Sequence, residues 1–220
     1  MTTMPFLPEG VIFDLDGLML DTERPMVSAW ITASRNRGCL MEEAVILQMV
    51  GIDEASSRAI VFDAYGPDFP YTQIRKDVFA LFTREVETCG IAQRPGLTVL
   101  LDHLARLGLP LAVATSSKRE TAQWKLRYGG ILERFSVLTC GDEVARGKPA
   151  PDIFLLAAER LGKSPAECVG FEDSPAGLRS LRDAGIRSVF IKDLVEPPPE
   201  VLATVWRRCN DLAEAAALFG

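Results

Sequence analysis

Residues 9–25 read EGVIFDLDGLMLDTERP, and this stretch combines the apolar residues of a buried strand with acidic ones. Asp14 and Asp16 stand two positions apart at the end of the apolar run, and Gly17 follows directly. Side chains alternate along a strand, so these two carboxylates point to the same face, roughly 7 Å apart. Burying like charges in this way costs free energy unless a cation offsets them or one carboxylate holds a proton. The stretch therefore predicts a strand that ends in a cation-binding site, with a frayed, solvated strand end as the alternative.

Composition argues against several functional classes. The chain has 220 residues, of which 48% are apolar and 25% charged, values typical of an ordinary soluble globular protein. Its formal net charge of −6 and the lack of a Lys/Arg-rich run argue against a nucleic-acid partner. No run of about 20 apolar residues is present, so no membrane partner is predicted. The stretch MTTMPFLPEG has neither the basic start nor the apolar core of a secretory signal, which favours a cytoplasmic protein.

The cysteine and histidine content limits the chemistry further. Five cysteines are scattered without a CxxC pair, so neither a disulfide framework nor a zinc-ribbon site is predicted. The single histidine, His103, lies within LTVLLDHLARLG, an amphipathic pattern that predicts a helix with this side chain half-exposed. A Ser-His-Asp triad would have to use His103, and an HExxH metal site is excluded. Any chemistry therefore falls to carboxylates, lysine and a metal ion.

The pattern of apolar residues changes along the chain. Residues 20–90 show helical patterns separated by glycines, with no convincing strand. From residue 95 onward, helical segments alternate with strand-like segments rich in Val, Phe and Ile, which is typical of a parallel sheet covered on both faces. The strand-like segments after the first strand are LPLAVATSS, FSVLTCGDE, ECVGFEDS and RSVFIKD. The stretch VEPPPE predicts a loop, and LAEAAALFG predicts a terminal helix.

These patterns predict an α/β fold in which a Rossmann-like parallel sheet core carries an inserted all-helical cap domain. The core comprises residues 1–19 and 91–220, and the cap comprises residues 20–90. Ligands of open parallel sheets bind beyond the carboxyl ends of the strands. Because the insertion begins at that end of the first strand, we expect it to cover a binding site.

Polar residues stand at or just after the predicted strands, at the ends that a parallel sheet brings to one edge. They are Asp14, Asp16, Thr115, Ser116, Lys118, Lys148, Glu172 and Asp173. Carboxylate oxygens suit Mg²⁺ better than zinc, and hydroxyl and backbone N–H groups at a strand-to-helix turn suit a phosphate. Lys148 supplies a point charge for a phosphoryl group. A metal ion, a phosphate pocket and a spare carboxylate together indicate phosphoryl transfer.

Four motifs in the chain resemble those of the haloacid dehalogenase superfamily, in the helical-cap branch that includes β-phosphoglucomutase and small sugar-phosphate phosphatases. In chain order they are FDLDGLMLDTE, VATSSK, GKPAPDIF and GFEDSPAG, and the resemblance covers nearly the whole chain. Any one motif is weak evidence, whereas all four at these spacings are specific. The resemblance implies a Mg²⁺ cofactor and a small phosphate ester as the substrate.

The resemblance also implies a role for each matching residue. Asp14 is the nucleophile that forms a phosphoaspartate, is itself a metal ligand, and is aligned by Lys148. Asp16 is the general acid/base and binds the metal through its backbone carbonyl, with a purely metal-binding carboxylate as the alternative. Asp173 is a direct Mg²⁺ ligand and Glu172 a ligand through water or an orienting group, unless either merely caps the helix that follows.

The end of the second strand matches the phosphate-binding position of the family. The resemblance assigns Thr115 and Ser116 to phosphate binding through hydroxyl and backbone N–H groups. Without the other motifs, these two residues would indicate an ordinary helix N-cap. Lys118 is expected to contact the phosphate or the sugar, and the alternative is a solvated residue at the start of a helix.

Two departures from the resemblance favour a phosphatase over a mutase. β-Phosphoglucomutase has a histidine shortly after its first motif, where this chain has Met26, and Glu54 replaces an arginine of the cap. We therefore predict a monomeric, Mg²⁺-dependent phosphatase that hydrolyses a small phosphate monoester, a sugar phosphate, through a phosphoaspartate. The alternatives are a phosphosugar mutase and a binding or regulatory protein with little turnover. A dehalogenase is disfavoured because dehalogenases generally lack the second aspartate, Asp16.

Overall fold

The computed structural model describes residues 8–52 and 54–220, and these fall into two units. One unit consists of the described residues up to Leu20 together with Ala92–Gly220, and the other consists of the described residues of Asp21–Ile91. The first unit contains a β-sheet, and the regular secondary structure described in the second is helical. The strand-end residues of interest therefore belong to the first unit.

Six strands form a single sheet in the described part of the first unit, in the order β3-β2-β1-β4-β5-β6. They are β1 (Gly10–Phe13), β2 (Leu111–Thr115), β3 (Val137–Cys140), β4 (Cys168–Glu172), β5 (Arg187–Ile191) and β6 (Arg207–Cys209). Every neighbouring pair is parallel, so the predicted parallel sheet is confirmed. The edge strand β6 is not predicted by the sequence, which indicates only five strands.

The second unit is built from helices with one apolar face. They are α1 (Glu23–Asn36), α2 (Glu43–Leu47), α3 (Glu54–Tyr65) and α4 (Tyr71–Cys89). In α4 the buried residues recur every three or four positions, at Tyr71, Ile74, Val78, Phe82 and Val86, which is the spacing of one helical face. The rings of Trp30 on α1 and Tyr71 stack with centroids 5.6 Å apart, so α1 and α4 pack face to face.

Helices connect successive strands of the first unit, and a last helix follows β6. They are α5 (Leu97–Arg106), α6 (Arg119–Tyr128), α7 (Asp152–Leu161), α8 (Pro175–Asp183), α9 (Pro199–Leu202) and α10 (Leu212–Ala216). His103 is half-buried on α5, as the amphipathic pattern predicts. Across residues 8–52 and 54–220, none of the helices combines the length and the apolar character that a bilayer crossing requires.

Strand β1 lies in the middle of the sheet and is buried on both faces. On one face Ile12 belongs to a core cluster with Ile153 and Phe154 of α7. On the other face the rings of Phe13 and Phe171 stack with centroids 4.9 Å apart. In the parallel register Phe13 lies beside Phe171 of β4, so the residues that follow the two strands emerge together at one edge.

Candidate active site

The position of Asp14 follows directly from the register of the central strands. Its backbone N–H donates a hydrogen bond of 3.0 Å to the carbonyl oxygen of Phe171, which extends the ladder between β1 and β4 by one residue. Asp14 therefore stands beside Glu172, the last residue of β4. Strand β1 is buried because its residues are apolar, and the parallel register brings the carboxylates of Asp14 and Glu172 together where the two strands end.

A tight turn follows Asp14 and depends on Gly17. The N–H groups of Met19 and Leu20 each donate to the carbonyl oxygen of Leu15 at 3.1 Å, and the Gly17 N–H donates to that of Leu20 at 2.9 Å. Gly17 has a φ of 81°, which side-chain-bearing residues rarely adopt. A Cβ at this position would also stand 2.5 Å from Oδ2 of Asp173. Glycine is therefore required both by the backbone and by the neighbouring carboxylate.

Three carboxylates and one lysine meet at this edge of the sheet. Asp14, Glu172 and Asp173 are buried, and each offers a carboxylate oxygen within 4.8 Å of the others. The Lys148 Nζ contacts Oδ1 of Asp14 and Oε1 of Glu172, each at 2.5 Å, and the Lys148 side chain is 6% exposed. These four residues come from three separate segments of the sequence, and the structure brings them together as one cluster.

The charges in this cluster do not balance. Burial disfavours the Lys148 ammonium, but the Asp14 and Glu172 carboxylates outweigh that effect and hold its pKa above the usual value. Burial raises the pKa of Asp14, and although Lys148 opposes the rise, the neighbouring carboxylates reinforce it. When all three carboxylates are ionised, the cluster with Lys148 carries two negative charges, which is the charge that a divalent cation neutralises. The cluster therefore has the composition and charge of a divalent-metal site.

Glu172 is fixed by the start of α8. Its Oε2 accepts hydrogen bonds from the N–H groups of Asp173 at 2.9 Å and Ser174 at 2.8 Å, and from the Ser174 hydroxyl at 3.0 Å. Ser174 is the N-cap of α8, because its Oγ accepts from the Gly177 N–H at 3.0 Å. A Cβ on Gly177 would overlap the Glu172 carboxylate. The cap of the helix is thus Ser174, and the Glu172 carboxylate is held against that turn instead.

The Asp16 carboxylate lies outside the cluster of three and has its own partners. Its Oδ1 contacts the Lys125 Nζ at 2.6 Å, and its Oδ2 accepts a hydrogen bond from the Ser117 hydroxyl at 3.0 Å. Lys125 lies in the last turn of α6, where the sequence gives no sign that a lysine reaches the edge of the sheet. Sequence reasoning therefore misses Lys125, and it places Ser117 at the end of the second strand and in the VATSSK motif without giving it a role.

The three predicted phosphate-binding residues differ in their surroundings. Thr115 is buried at the end of β2, and its Oγ1 accepts a hydrogen bond from the Ser117 N–H at 3.1 Å. Ser116 is exposed, and Lys118 is exposed as the N-cap residue of α6. The structure thus brings the side chain of Ser117, rather than that of Ser116, into contact with Asp16.

Asp193 is a further acidic residue near this edge that sequence reasoning misses. It follows β5, and its Oδ1 forms an ion pair of 2.9 Å with Arg94. The Asp193 side chain is only 2% exposed. A Cβ on Gly17 would stand 3.1 Å from Oδ2 of Asp193 and 2.5 Å from Oδ2 of Asp173, so both carboxylates flank the same turn. The signal was present in the sequence, because RSVFIKD ends in an aspartate at the carboxyl end of a predicted strand.

Comparison with curated proteins finds sugar-phosphate phosphatases among the similar chains. The chain is 34% identical over 195 residues to hexitol phosphatase A of Escherichia coli, with 86% of each chain covered. It is 31% identical over 182 residues to the phosphorylated carbohydrates phosphatase of Thermotoga maritima, which covers 83% of this chain and 84% of the relative. These relatives confirm the prediction of a phosphatase-type enzyme.

A solved structure and a family match agree with the fold. The crystal structure of CbbY from Rhodobacter sphaeroides in complex with phosphate superimposes with a TM-score of 0.78 at 28% identity, covering 96% of this chain and 99% of the other. The haloacid dehalogenase-like hydrolase family matches residues 8–185, which include all four motifs. The chain therefore belongs to the haloacid dehalogenase-like hydrolases.

Proposed function

We propose that the protein is a Mg²⁺-dependent phosphatase that hydrolyses a small phosphate monoester, a sugar phosphate, through a phosphoaspartate on Asp14. The observation that carries this proposal is the buried cluster of three carboxylates, two of which contact the Lys148 ammonium. Its two excess negative charges match a divalent cation. Relatives named for hexitol and for phosphorylated carbohydrates support a sugar phosphate as the substrate class.

The ligands of the proposed metal ion are all oxygen atoms, a donor set that suits Mg²⁺. Asp14 and Asp173 offer carboxylate oxygens for direct coordination, and the backbone carbonyl of Asp16 is the third protein ligand that we propose. Glu172 already accepts the Lys148 ammonium and two backbone N–H groups, which favours a contact with the ion through water. When bound, the ion offsets negative charge on the phosphoryl oxygens.

Asp14 and Asp16 divide the chemical steps between them. A carboxylate oxygen of Asp14 forms a bond to phosphorus, the ester P–O bond breaks, and Asp16 gives a proton to the departing alkoxide oxygen. Asp16 then takes a proton from water, whose oxygen bonds to phosphorus and releases the Asp14 carboxylate together with inorganic phosphate. Lys148, 2.5 Å from Oδ1 of Asp14, holds that carboxylate in position for in-line attack.

The end of β2 supplies the phosphate-binding part of the proposed site. Thr115 and Ser116 bind phosphoryl oxygens through hydroxyl and backbone N–H groups at the turn that leads into α6. The exposed Lys118 at the start of α6 contacts the phosphate or the sugar. The helical unit Asp21–Ile91 follows the Gly17 turn directly in the chain, which supports its role as a cap that selects the substrate.

The proposal is tested by incubating the protein and Mg²⁺ with a panel of about fifty small phosphate esters that includes hexose, pentose and nucleoside phosphates. We expect release of inorganic phosphate from one or more sugar phosphates, and loss of release when EDTA removes the metal. Migration of phosphate within a sugar, without release, would instead identify a mutase. If no ester in the panel undergoes either reaction, a binding or regulatory protein becomes the better description.

Metal binding has a second readout that does not depend on turnover. Mg²⁺ at 100 times its Kd stabilises the folded state by about 2.7 kcal/mol, and we expect the melting temperature of the wild type to rise by about 5–10 °C. Asp173→Asn removes a proposed direct ligand, so this rise should be lost, while the metal-free melting temperature should not fall. The readout is a thermal melt with and without Mg²⁺.

Asp183→Asn is the matched control for this measurement, because Asp183 is an exposed aspartate paired with Arg182 at the end of α8. This variant should keep the full Mg²⁺-dependent rise. An Asp173→Asn protein that is stabilised by Mg²⁺ as strongly as the wild type would contradict the ligand assignment.

A further inference from the structure

Lys125, Asp16 and Ser117 form a closed triangle of polar contacts in the sheet-bearing unit. The Lys125 Nζ lies 2.6 Å from Oδ1 of Asp16 and 3.2 Å from the Ser117 Oγ. The Ser117 hydroxyl in turn donates to Oδ2 of Asp16 at 3.0 Å. Each oxygen of the carboxylate therefore has a different donor, and the two donors contact each other.

The position of Lys125 is set by the packing of α6. Ala122 and Leu126 are the buried residues of this helix, and Lys125 stands three positions after Ala122, at the border of the same face. Its side chain is 13% exposed, compared with 29% for Lys163 in its surface ion pair with Glu9. The aliphatic stem of Lys125 is thus covered while its ammonium ends at Asp16, an arrangement that fixes the ammonium in place.

We propose that Lys125 is a positioning residue that, together with Ser117, holds the ionised Asp16 carboxylate in the orientation needed to take a proton from water. This proposal rests on the proposed function, in which Asp16 serves as the general acid/base. Proton transfer requires a heavy-atom separation within hydrogen-bond reach, and a carboxylate on two rotatable bonds samples many orientations unless its neighbours restrict it. Because each oxygen of the Asp16 carboxylate has its own donor, the carboxylate group is restricted to one preferred orientation.

The first test replaces Lys125 with methionine, which keeps the length and the helix propensity of the side chain but removes the ammonium. We expect kcat for the sugar phosphate found in the panel to fall by about 10- to 100-fold, the scale of a small misplacement of a catalytic group. KM should change by less than about threefold, because Lys125 contacts Asp16 and not the substrate in this proposal. Lys125→Arg, which restores a cation, should recover part of the loss.

A second substrate separates positioning of Asp16 from a general loss of structure. With p-nitrophenyl phosphate, the leaving group departs as nitrophenolate without needing a proton, so formation of the phosphoaspartate does not depend on Asp16. Hydrolysis of the phosphoaspartate still needs Asp16 to take a proton from water. Rapid mixing of the Lys125→Met protein should therefore give a burst of one nitrophenolate per protein molecule, followed by slow turnover. Ser117→Ala should give the same burst.

Arg127→Met is the matched control, because Arg127 is an exposed cation two residues away on α6. It should turn over both substrates at the wild-type rate. A Lys125→Met protein with the wild-type rate on both substrates would overturn the positioning role, as would an equal loss on both substrates without a burst. Absence of phosphate release by the wild type itself would overturn the proposed function, and with it this inference.

Discussion

Asp14→Asn is expected to abolish phosphate release, lowering kcat by about 10⁴-fold or more, the scale on which loss of a catalytic nucleophile acts in other enzymes. The amide is nearly the same size as the carboxylate but does not attack phosphorus. The substitution also removes an acidic group whose ionisation burial and the neighbouring carboxylates disfavour, so the metal-free protein should melt no lower than the wild type. The measurements are phosphate release over hours and a circular-dichroism melt.

His103→Ala is the control for this experiment, because His103 is the single histidine and lies half-buried on α5. The kcat of this variant should stay within about twofold of the wild type, because His103 lies on α5 and contributes no group to the proposed chemistry. Full activity in Asp14→Asn would show that the nucleophile is assigned to the wrong residue. Loss of activity in His103→Ala would show that the carboxylate mechanism is incomplete.

Lys148→Met is expected to affect both stability and activity. Removing one partner of a buried ion pair typically costs about 3–5 kcal/mol, because the remaining charge stays buried without compensation. Here Asp14 and Glu172 both lose the ammonium that they contact at 2.5 Å. The melting temperature should fall by about 10 °C in the metal-free protein, and kcat should fall by about 100-fold or more. Mg²⁺ should restore part of the melting temperature, because it supplies positive charge to the same carboxylates.

Lys163→Met tests whether the effect depends on burial. Lys163 pairs with Glu9 at 2.8 Å on the surface, so its loss should change the free energy of unfolding by less than about 0.5 kcal/mol. Equal melting temperatures of the Lys148→Met and Lys163→Met proteins would contradict the stabilising role of the buried Lys148 ammonium.

Five of the six strands can be predicted from sequence because each is a short apolar run next to a helical segment. The central strands are buried on both faces, which demands near-continuous Val, Ile and Phe. Strand β6 reads Arg207, Arg208 and Cys209 and has no such pattern. It is a strand because Val189 and Ile191 of β5 offer it an edge to pair with, and this pairing is tertiary information.

The same reasoning explains which site residues could be found. Residues at strand ends are predictable because parallel topology collects those ends at one edge, as for Asp14 and Glu172. Lys125 and Arg94 are not predictable in this way, because a cation in a helix or a loop usually faces solvent. Their partners lie far away in the sequence, and only the folded chain shows that Lys125 reaches Asp16.

The Glu172 carboxylate occupies the space that a Cβ of Gly177 would fill, and this limits how the protein can be engineered. Alanine is better than glycine inside a helix by about 1 kcal/mol, so a routine search for thermostabilising changes would select this position in α8. Such a variant would push aside the acidic group that contacts Lys148. The low helix propensity of glycine at this position is thus the consequence of the Glu172 carboxylate that packs against it. Optimisation for heat resistance should therefore leave Gly177 unchanged.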